Sequence, residues 1–269
     1  VIDDGTLIRS VKAVPSGSIL EFNGDKIVTK KYWDLVYYEG PAQGSIDDYA
    51  AELNWLLRQG IKRSVNCLEP KQKIGLALSG GLDSRIIAGH LAEEIGPNFK
   101  TYAYGRKKCP DFFYAQNVAH VLGVPFYFYP TKGEYIADYA YETLMLTEGL
   151  LSHFDSQVTI LTNNINSTDV NVIWTGFLGD VFWGASFLNW GVFGWEKNYR
   201  DFNEALHNRI GFYMPKYFQK ELFLPEIWSE IDRYTIEQVN KIISACQATL
   251  EGNRADYFFV HARMSHFAL

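Results

Sequence analysis

The sequence predicts a doubly wound α/β fold: a parallel sheet with helices on both faces, a helical C-terminal part and a short N-terminal β-hairpin. Three observations carry this expectation. Short apolar runs bounded by turn residues alternate with stretches of helical periodicity over roughly residues 45–176, the pattern of strand–helix–strand units. The run "KIGLALS" (73–79) is followed directly by "GGLDSR", a glycine- and serine-rich turn that opens a helix. Finally, Asn23-Gly24 stands between "SILEF" and "KIVTKKYW", a strong short-range hairpin signal.

The elements follow in order. The opening 1–44 reads as the hairpin and a linker. Because a two-stranded hairpin is marginal alone, it is expected to lean on something larger. Ser45 is an N-cap candidate with acidic residues behind it, and Tyr49, Leu53, Leu56, Leu57 and Ile61 recur at helical spacing. Strand 73–79 then leads into a helix over 84–96 closed by Gly96. "FKTYAYG" (99–105) is a second strand, and Asp111 is a candidate cap for a helix ending at Gly123. A third strand covers 125–130. Helices follow over 135–146 and 154–165, then a fourth strand over 170–176. From 198 to 250 the pattern is helical, punctuated by Pro215 and Pro225. Residues 45–269 are expected to form one large domain.

Composition narrows the function. The 269 residues are 47% hydrophobic and 16% aromatic, with a net charge of −6, enough apolar material for a large core and no basic stripe for nucleic acid. No apolar stretch reaches the ~20 residues that cross a bilayer, so no membrane partner is expected. Cys67, Cys109 and Cys246 form neither a CxxC pair nor an even set. They read as buried thiols in a reducing cytoplasm. The six histidines show no metal-ligand spacing.

In an open α/β sheet, ligands sit at the carboxyl ends of the strands where strand order reverses. Ser79-Gly80-Gly81-Leu82-Asp83-Ser84 lies at such an end. Successive amides of small residues at a helix N-terminus make an anion site, and Ser79 and Ser84 add hydroxyls. Asp83 fits such a site if Mg²⁺ bridges it to phosphate oxygens. The P-loop pattern fails because Gly81 stands where lysine is required, and Gly-x-Gly-x-x-Gly is absent. Ala77-Leu78-Ser79-Gly80-Gly81 imitates a serine-hydrolase elbow, with Asp180 and then His261 or His266 in suitable chain order. That reading makes Ser79 a nucleophile.

The hexapeptide SGGLDS resembles the pyrophosphate loop of the N-type ATP pyrophosphatases, which cleave ATP between its α- and β-phosphates and adenylate an acceptor. With "TYAYG" about 20 residues on and the opening "IRSVKAVPSGSILEFNGDKIVTKKYW", the chain looks most like the synthetase domain of the asparagine synthetases. In that family the opening segment joins a glutaminase domain to the synthetase domain. The resemblance implies a glutaminase-like domain in a longer chain, with the present residues a fragment. Residue 1 is Val where the glutaminase has its cysteine nucleophile, so these residues are not expected to hydrolyse glutamine.

A second family motif is matched by "TGFLGDVFWGA" (175–185). The resemblance implies that Asp83 and Asp180 hold Mg²⁺ on the triphosphate of ATP. It implies too that Ser79, Gly80, Gly81 and Ser84 bind pyrophosphate, and that Ala77, Leu78, Tyr104 and Gly176 frame adenine and ribose. A carboxylate substrate and an amine or ammonia donor are the implied partners. Phe177 departs from the pattern: it replaces the family's proton-handling Glu (or the Tyr of its β-lactam-forming relatives), and Val181 replaces the acid after the aspartate. A nucleotide-binding relative with a regulatory role is the alternative. Arg85 has two readings, neutralising departing pyrophosphate or pairing with Glu93 or Asp111. The cations of "GRKKCPD" (105–111) read as a solvated loop or as reach toward an anionic ligand. "FWGASFLNWGVFGW" (182–195) reads as a wall over substrate or as ordinary packing, and "EGLLSHFDSQ" (148–157) lies where the family shapes its acceptor pocket. The family's late lysine has no match, since no lysine follows Lys241.

Overall fold

The structure is a computed structural model. It describes residues 4–6, 8, 10–149, 156–166, 168–177, 179, 196, 198–210 and 220–264. The chain divides into two compact units, residues 42–179 and residues 1–41 with 180–269.

The first unit is the α/β domain. Ser45 caps α1 (Ile46–Asn66) through a reciprocal pair: the Asp48 amide donates to the Ser45 hydroxyl oxygen and the Ser45 amide to the Asp48 carboxylate. Only the second half of α1 reaches the core. Ile61 is buried, whereas Tyr49, Leu53 and Leu56, expected on the inner face, are exposed. Strand β3 (Ile74–Ala77) leads to α2 (Leu82–Ile95), β4 (Phe99–Gly105), α3 (Pro110–Leu122), β5 (Phe126–Pro130), α4 (Tyr135–Leu146), α5 (Gln157–Asn166) and β6 (Val172–Thr175). The labels β1 and β2 belong to the hairpin of the other unit. These four strands form a parallel sheet in the order β5-β4-β3-β6.

Alternation along β4 sorts its two faces. Phe99 and Ala103 join Leu76, Leu78, Ala88, Leu91, Ala115 and Ala119 beneath α2 and α3. On the other face Tyr102 packs with Leu161 and Ile165 of α5, and Tyr104 with Tyr129 beside them. Gly75 on β3 is required by this second layer, since an added Cβ would stand 2.9 Å from the Tyr102 ring and 2.6 Å from Ile173 Cδ1. At the amino ends of the strands, Asp169 pairs with both Lys73 and Lys100. Hydrogen bonds from Lys100 and Lys73 hold the Asp169 carboxyl far below its usual range.

The other unit carries the hairpin, β1 (Ser18–Phe22) antiparallel to β2 (Ile27–Lys31), with Ser18 opposite Lys31 and Phe22 opposite Ile27. In its turn the Asn23 side chain accepts from the Lys26 amide at 3.0 Å and Gly24 takes φ +92°, at the place where the dipeptide signalled a hairpin. Both strands are largely exposed. Helices α6 (Phe202–Ile210), α7 (Pro225–Ala245, with Pro225 in its first turn) and α8 (Glu251–Phe259) complete the unit, and α8 runs on into a π-helical turn over Val260–Met264. Pro215 lies outside the described residues. Phe202, Leu206, Val239, Ile243, Tyr257 and Phe258 form its core, with Leu35 and Tyr37 of the N-terminal segment packed against it.

That segment is tied down by two acids. Asp34 accepts from the Tyr257 hydroxyl at 3.0 Å, shares a 2.9 Å hydrogen bond with His261 Nε2 and pairs with Lys31. Burial opposes its ionisation, but these donors outweigh it and its pKa is lowered. Glu39 accepts from the Thr249 hydroxyl (2.5 Å) and amide (2.8 Å), the Leu250 amide (2.9 Å) and Asn253 Nδ2 (2.9 Å), thereby capping α8. Those bonds, the Thr249 hydroxyl foremost, hold its carboxyl at about 2.

The cysteines depart from the expectation of buried thiols. All three are free, Cys67 is exposed where it closes α1, and Cys109 and Cys246 are half-buried. Among the described residues no helix is long and apolar enough to cross a membrane.

A depressed acid stabilises the fold above its unfolded pKa of about 4.3, and that contribution is lost as pH falls through its folded value. Glu39→Gln is therefore expected to melt below wild type at pH 6, with the gap closing between pH ~4.3 and pH ~2. Thermal melts of both proteins across that range check this.

Candidate functional site

Strand order reverses between β3 and β6. The chain steps outward from β3 to β4 to β5 and then returns to the opposite side of β3. Ala77 stands in register with Thr175, so the loops leaving these two strands start side by side. This is the crevice that an open parallel sheet offers to a ligand.

The loop after β3 is short. Leu78 prolongs the ladder, its amide donating to the Tyr102 carbonyl at 2.8 Å, and its side chain is buried in the core. Only the Leu78 backbone therefore remains for framing a ligand. Helix α2 begins at Leu82 with Gly81 as its N-cap, two residues earlier than expected. Asp83 and Ser84 accordingly stand in the first helical turn rather than in the loop, because Gly81 takes an extended conformation (φ −69°, ψ 154°) that ends the turn abruptly.

Each of the three loop amides has an internal acceptor. The Ser79 amide donates to Ser84 Oγ (3.1 Å), the Gly80 amide to Asp111 Oδ1 (2.8 Å) and the Gly81 amide to Ser79 Oγ (3.1 Å). The two serine hydroxyls are 3.0 Å apart. Asp111 thus does not cap α3; Cys109 is the N-cap and Pro110 occupies the first turn, where its missing N–H costs nothing. Nothing in the sequence linked Asp111 to Gly80, which is 31 residues away.

The loop after β6 closes over the start of α2. An added Cβ on Gly176 would stand 2.5 Å from the Ser84 backbone nitrogen and 2.9 Å from its Cα. One on Gly179 would stand 2.5 Å from the Asp83 carboxyl carbon. Both glycines therefore allow backbone to lie where no side chain fits. Between them the Gly179 amide donates to the Gly176 carbonyl (3.3 Å) and the Phe177 amide to Thr175 Oγ1 (3.3 Å). Phe177 is 63% exposed.

Ala77, Leu78, Ser79, Gly80, Gly81, Asp83, Ser84 and Gly176 thus gather at one place. Tyr104 lies on β4 among the aromatic side chains facing α5. Beside it Tyr102 is fully buried, stacked 5.4 Å from Tyr127 and 6.3 Å from Tyr129, and its hydroxyl has no partner among the described residues. Asp180, Val181, residues 182–195, residues 150–155 of the "EGLLSHFDSQ" stretch and His266 lie outside the described residues. Arg85 meets neither expected acid. Its Nε donates to the Gly81 carbonyl at 3.2 Å and its guanidinium stands 5.9 Å from the Tyr114 ring centroid, while Glu93 engages His90 and Arg58. Of the residues in the hydrolase reading, the Ser79 hydroxyl lies 3.0 Å from that of Ser84 and His261 Nε2 is joined to Asp34, while Asp180 and His266 lie outside the described residues.

Among the described residues no three His, Cys, Asp or Glu side chains converge. Mg²⁺ needs no such cage, since it is usually held by one or two carboxylates with phosphate oxygens and water. The half-exposed Asp83 carboxylate, set against the bare backbone of Gly179, is a hard-oxygen donor of that kind and fits the ion.

Comparison with known proteins identifies the domain. The family model described as asparagine synthase matches residues 56–257, about three quarters of the chain. No curated protein matches it. Among solved structures, the chain is similar to an NH3-dependent NAD synthetase from Campylobacter jejuni (13% identity, TM-score 0.36, covering 74% of this chain and 98% of that one). It is similar as well to an NMN synthetase from Francisella tularensis (15% identity, TM-score 0.34, covering 80% and 93%). A third is a glutamine-dependent NAD+ synthetase from Acinetobacter baumannii, in complex with ADP (20% identity, TM-score 0.34, covering 61% and 31%).

Gly176→Ala is expected to push β6 and α2 apart, lowering stability by roughly 1–3 kcal/mol. Thermal melts measure this, with Gly133→Ala, where an added Cβ meets nothing within 4 Å, as the control. With its loop at the reversal point of the sheet and the family match spanning that sheet, the chain belongs to the asparagine synthase family, of ATP-dependent carbon–nitrogen ligases.

Proposed function

We propose that this domain is an ATP- and Mg²⁺-dependent ligase that adenylates a substrate carboxylate, releases pyrophosphate and then forms an amide. The observation that carries the reading is the SGGLDS turn seated beside Gly176 at the carboxyl ends of β3 and β6, in a chain of this family. Loop amides, serine hydroxyls and the N-terminus of α2 favour negative charge there.

In the first half-reaction a carboxylate oxygen attacks the α-phosphorus, the bond from that phosphorus to its bridging oxygen breaks, and pyrophosphate leaves with the electron pair. The chain's part is to align the two reactants and to donate hydrogen bonds to the departing oxygens. Asp83 and, as the family resemblance implies, Asp180 would hold Mg²⁺, which would supply charge neutralisation on the phosphates. In the second half-reaction an amine or ammonia attacks the acyl carbon and the bond to the AMP oxygen breaks. The proton released by the amine passes to water or to departing AMP, because the Phe177 ring accepts none and its exposure leaves solvent close by. The cytoplasmic setting belongs to the same proposal.

Phe177 also favours a second reading, a relative that binds nucleotide and does not complete the amide. Pyrophosphate release measured with Mg-ATP over a panel of carboxylates and amines separates the two. Asp83→Ala is expected to weaken Mg-ATP binding by no less than the roughly 10–100-fold that losing even an outer-shell partner of a metal ligand costs; equal affinity in both proteins overturns the metal role. Phe177→Glu places an acceptor where the family has one. It is expected to raise amide formation by about 10²-fold, the usual worth of a positioned base, with carboxylate-dependent ATP–pyrophosphate exchange unchanged.

A further inference from the structure

Of the three acceptors that satisfy the loop amides, two are neutral hydroxyls and one is a carboxylate. The hydroxyls of Ser79 and Ser84 rotate, and each can give its hydrogen to an incoming phosphate oxygen. An ionised carboxylate only accepts. Asp111 reaches the Gly80 amide from the first turn of α3, the helix after the neighbouring strand. The fit around Gly80 is close: an added Cβ would stand 2.5 Å from the same Asp111 Oδ1, 3.1 Å from Asp111 Cα and 3.2 Å from Tyr114 Cδ2. The carboxylate therefore fills the space in front of the one loop amide that looks toward α3.

Among the described residues no cation pairs with Asp111. Arg85, nearest along α2, is held by the Gly81 carbonyl, and Arg106, Lys107 and Lys108 of the preceding turn join no ion pair. Moving Asp111 aside costs one charge-assisted hydrogen bond and breaks no salt bridge.

We propose that Asp111 is a built-in competitor for the nucleotide: its carboxylate occupies the Gly80 amide, and the phosphates of ATP must displace it to seat there. This rests on the nucleotide reading above and adds a specificity rule to it. A lone phosphate exchanges one anion for another at that amide and gains little. A metal-bound triphosphate brings further contacts and wins. Asp111 is a positioning residue in this scheme, acting through the loop.

The test is calorimetry of wild type, Asp111→Asn and Asp111→Ala with Mg-ATP and, separately, with inorganic phosphate. Asparagine keeps the carbonyl acceptor and the shape while removing the charge. Because a charged acceptor bonds about twice as strongly as a neutral one, Asp111→Asn is expected to bind Mg-ATP about tenfold more tightly. Its gain for inorganic phosphate should be at least as large, eroding the preference for polyphosphate. Asp111→Ala should shift the same way, and thermal melts verify that both variants are folded. Wild-type binding with equal or weaker binding in folded Asp111→Asn overturns the competitor role and leaves the ligase reading standing. No Mg-ATP binding in any of the three proteins overturns both, and binding by the variants alone supports both.

Discussion

The site depends on one pairing, β6 against β3 with Ala77 opposite Thr175. Had the fourth strand added beyond β5, the sheet would still be parallel, but the two loops would emerge three strands apart. Because β6 returns to the side of β3 opposite β4, the start of α2 meets Gly176 backbone to backbone and sets the Asp83 side chain against Gly179. The glycines follow from this closeness. At 176 and 179 a methyl group would enter the Ser84 amide or the Asp83 carboxyl. Two motifs almost 100 residues apart are thereby joined.

The loop is self-satisfied. Ser79 and Gly81 are exposed and Gly80 half-buried, and their amides donate to Ser84, Ser79 and Asp111, respectively. On the proposed nucleotide reading, phosphate binding is an exchange of acceptors that favours ligands bringing several contacts.

Outside the α/β unit, stabilisation takes a different form. Asp34 and Glu39 lie on a segment with no regular secondary structure, yet each gathers several donors from residues more than 200 positions away, Thr249 and Leu250 at one end and Tyr257 and His261 at the other. Each acid also relies on local chemistry. Glu39 meets amides at a helix N-terminus, where negative charge is favoured, and Asp34 pairs with Lys31 on the preceding strand.

Much was legible in the chain itself. The period of two along 99–105, the Ser45–Asp48 capping pair, Asn23-Gly24 and the small residues at 79–81 are local signals. Each states what its own few residues can do: alternate faces, cap, turn sharply, or let another group approach. From them followed the α/β class, the strand and helix order and the position of the nucleotide loop. Tertiary structure decided what local signals do not encode. It showed that α2 starts at Leu82 and carries Asp83, that only the second half of α1 is buried, that Arg85 turns back to Gly81, and that the Asp111 side chain reaches from α3 to the Gly80 amide. These outcomes arise where two segments compete for the same space or the same donor, and that competition is settled only when the sheet brings them together.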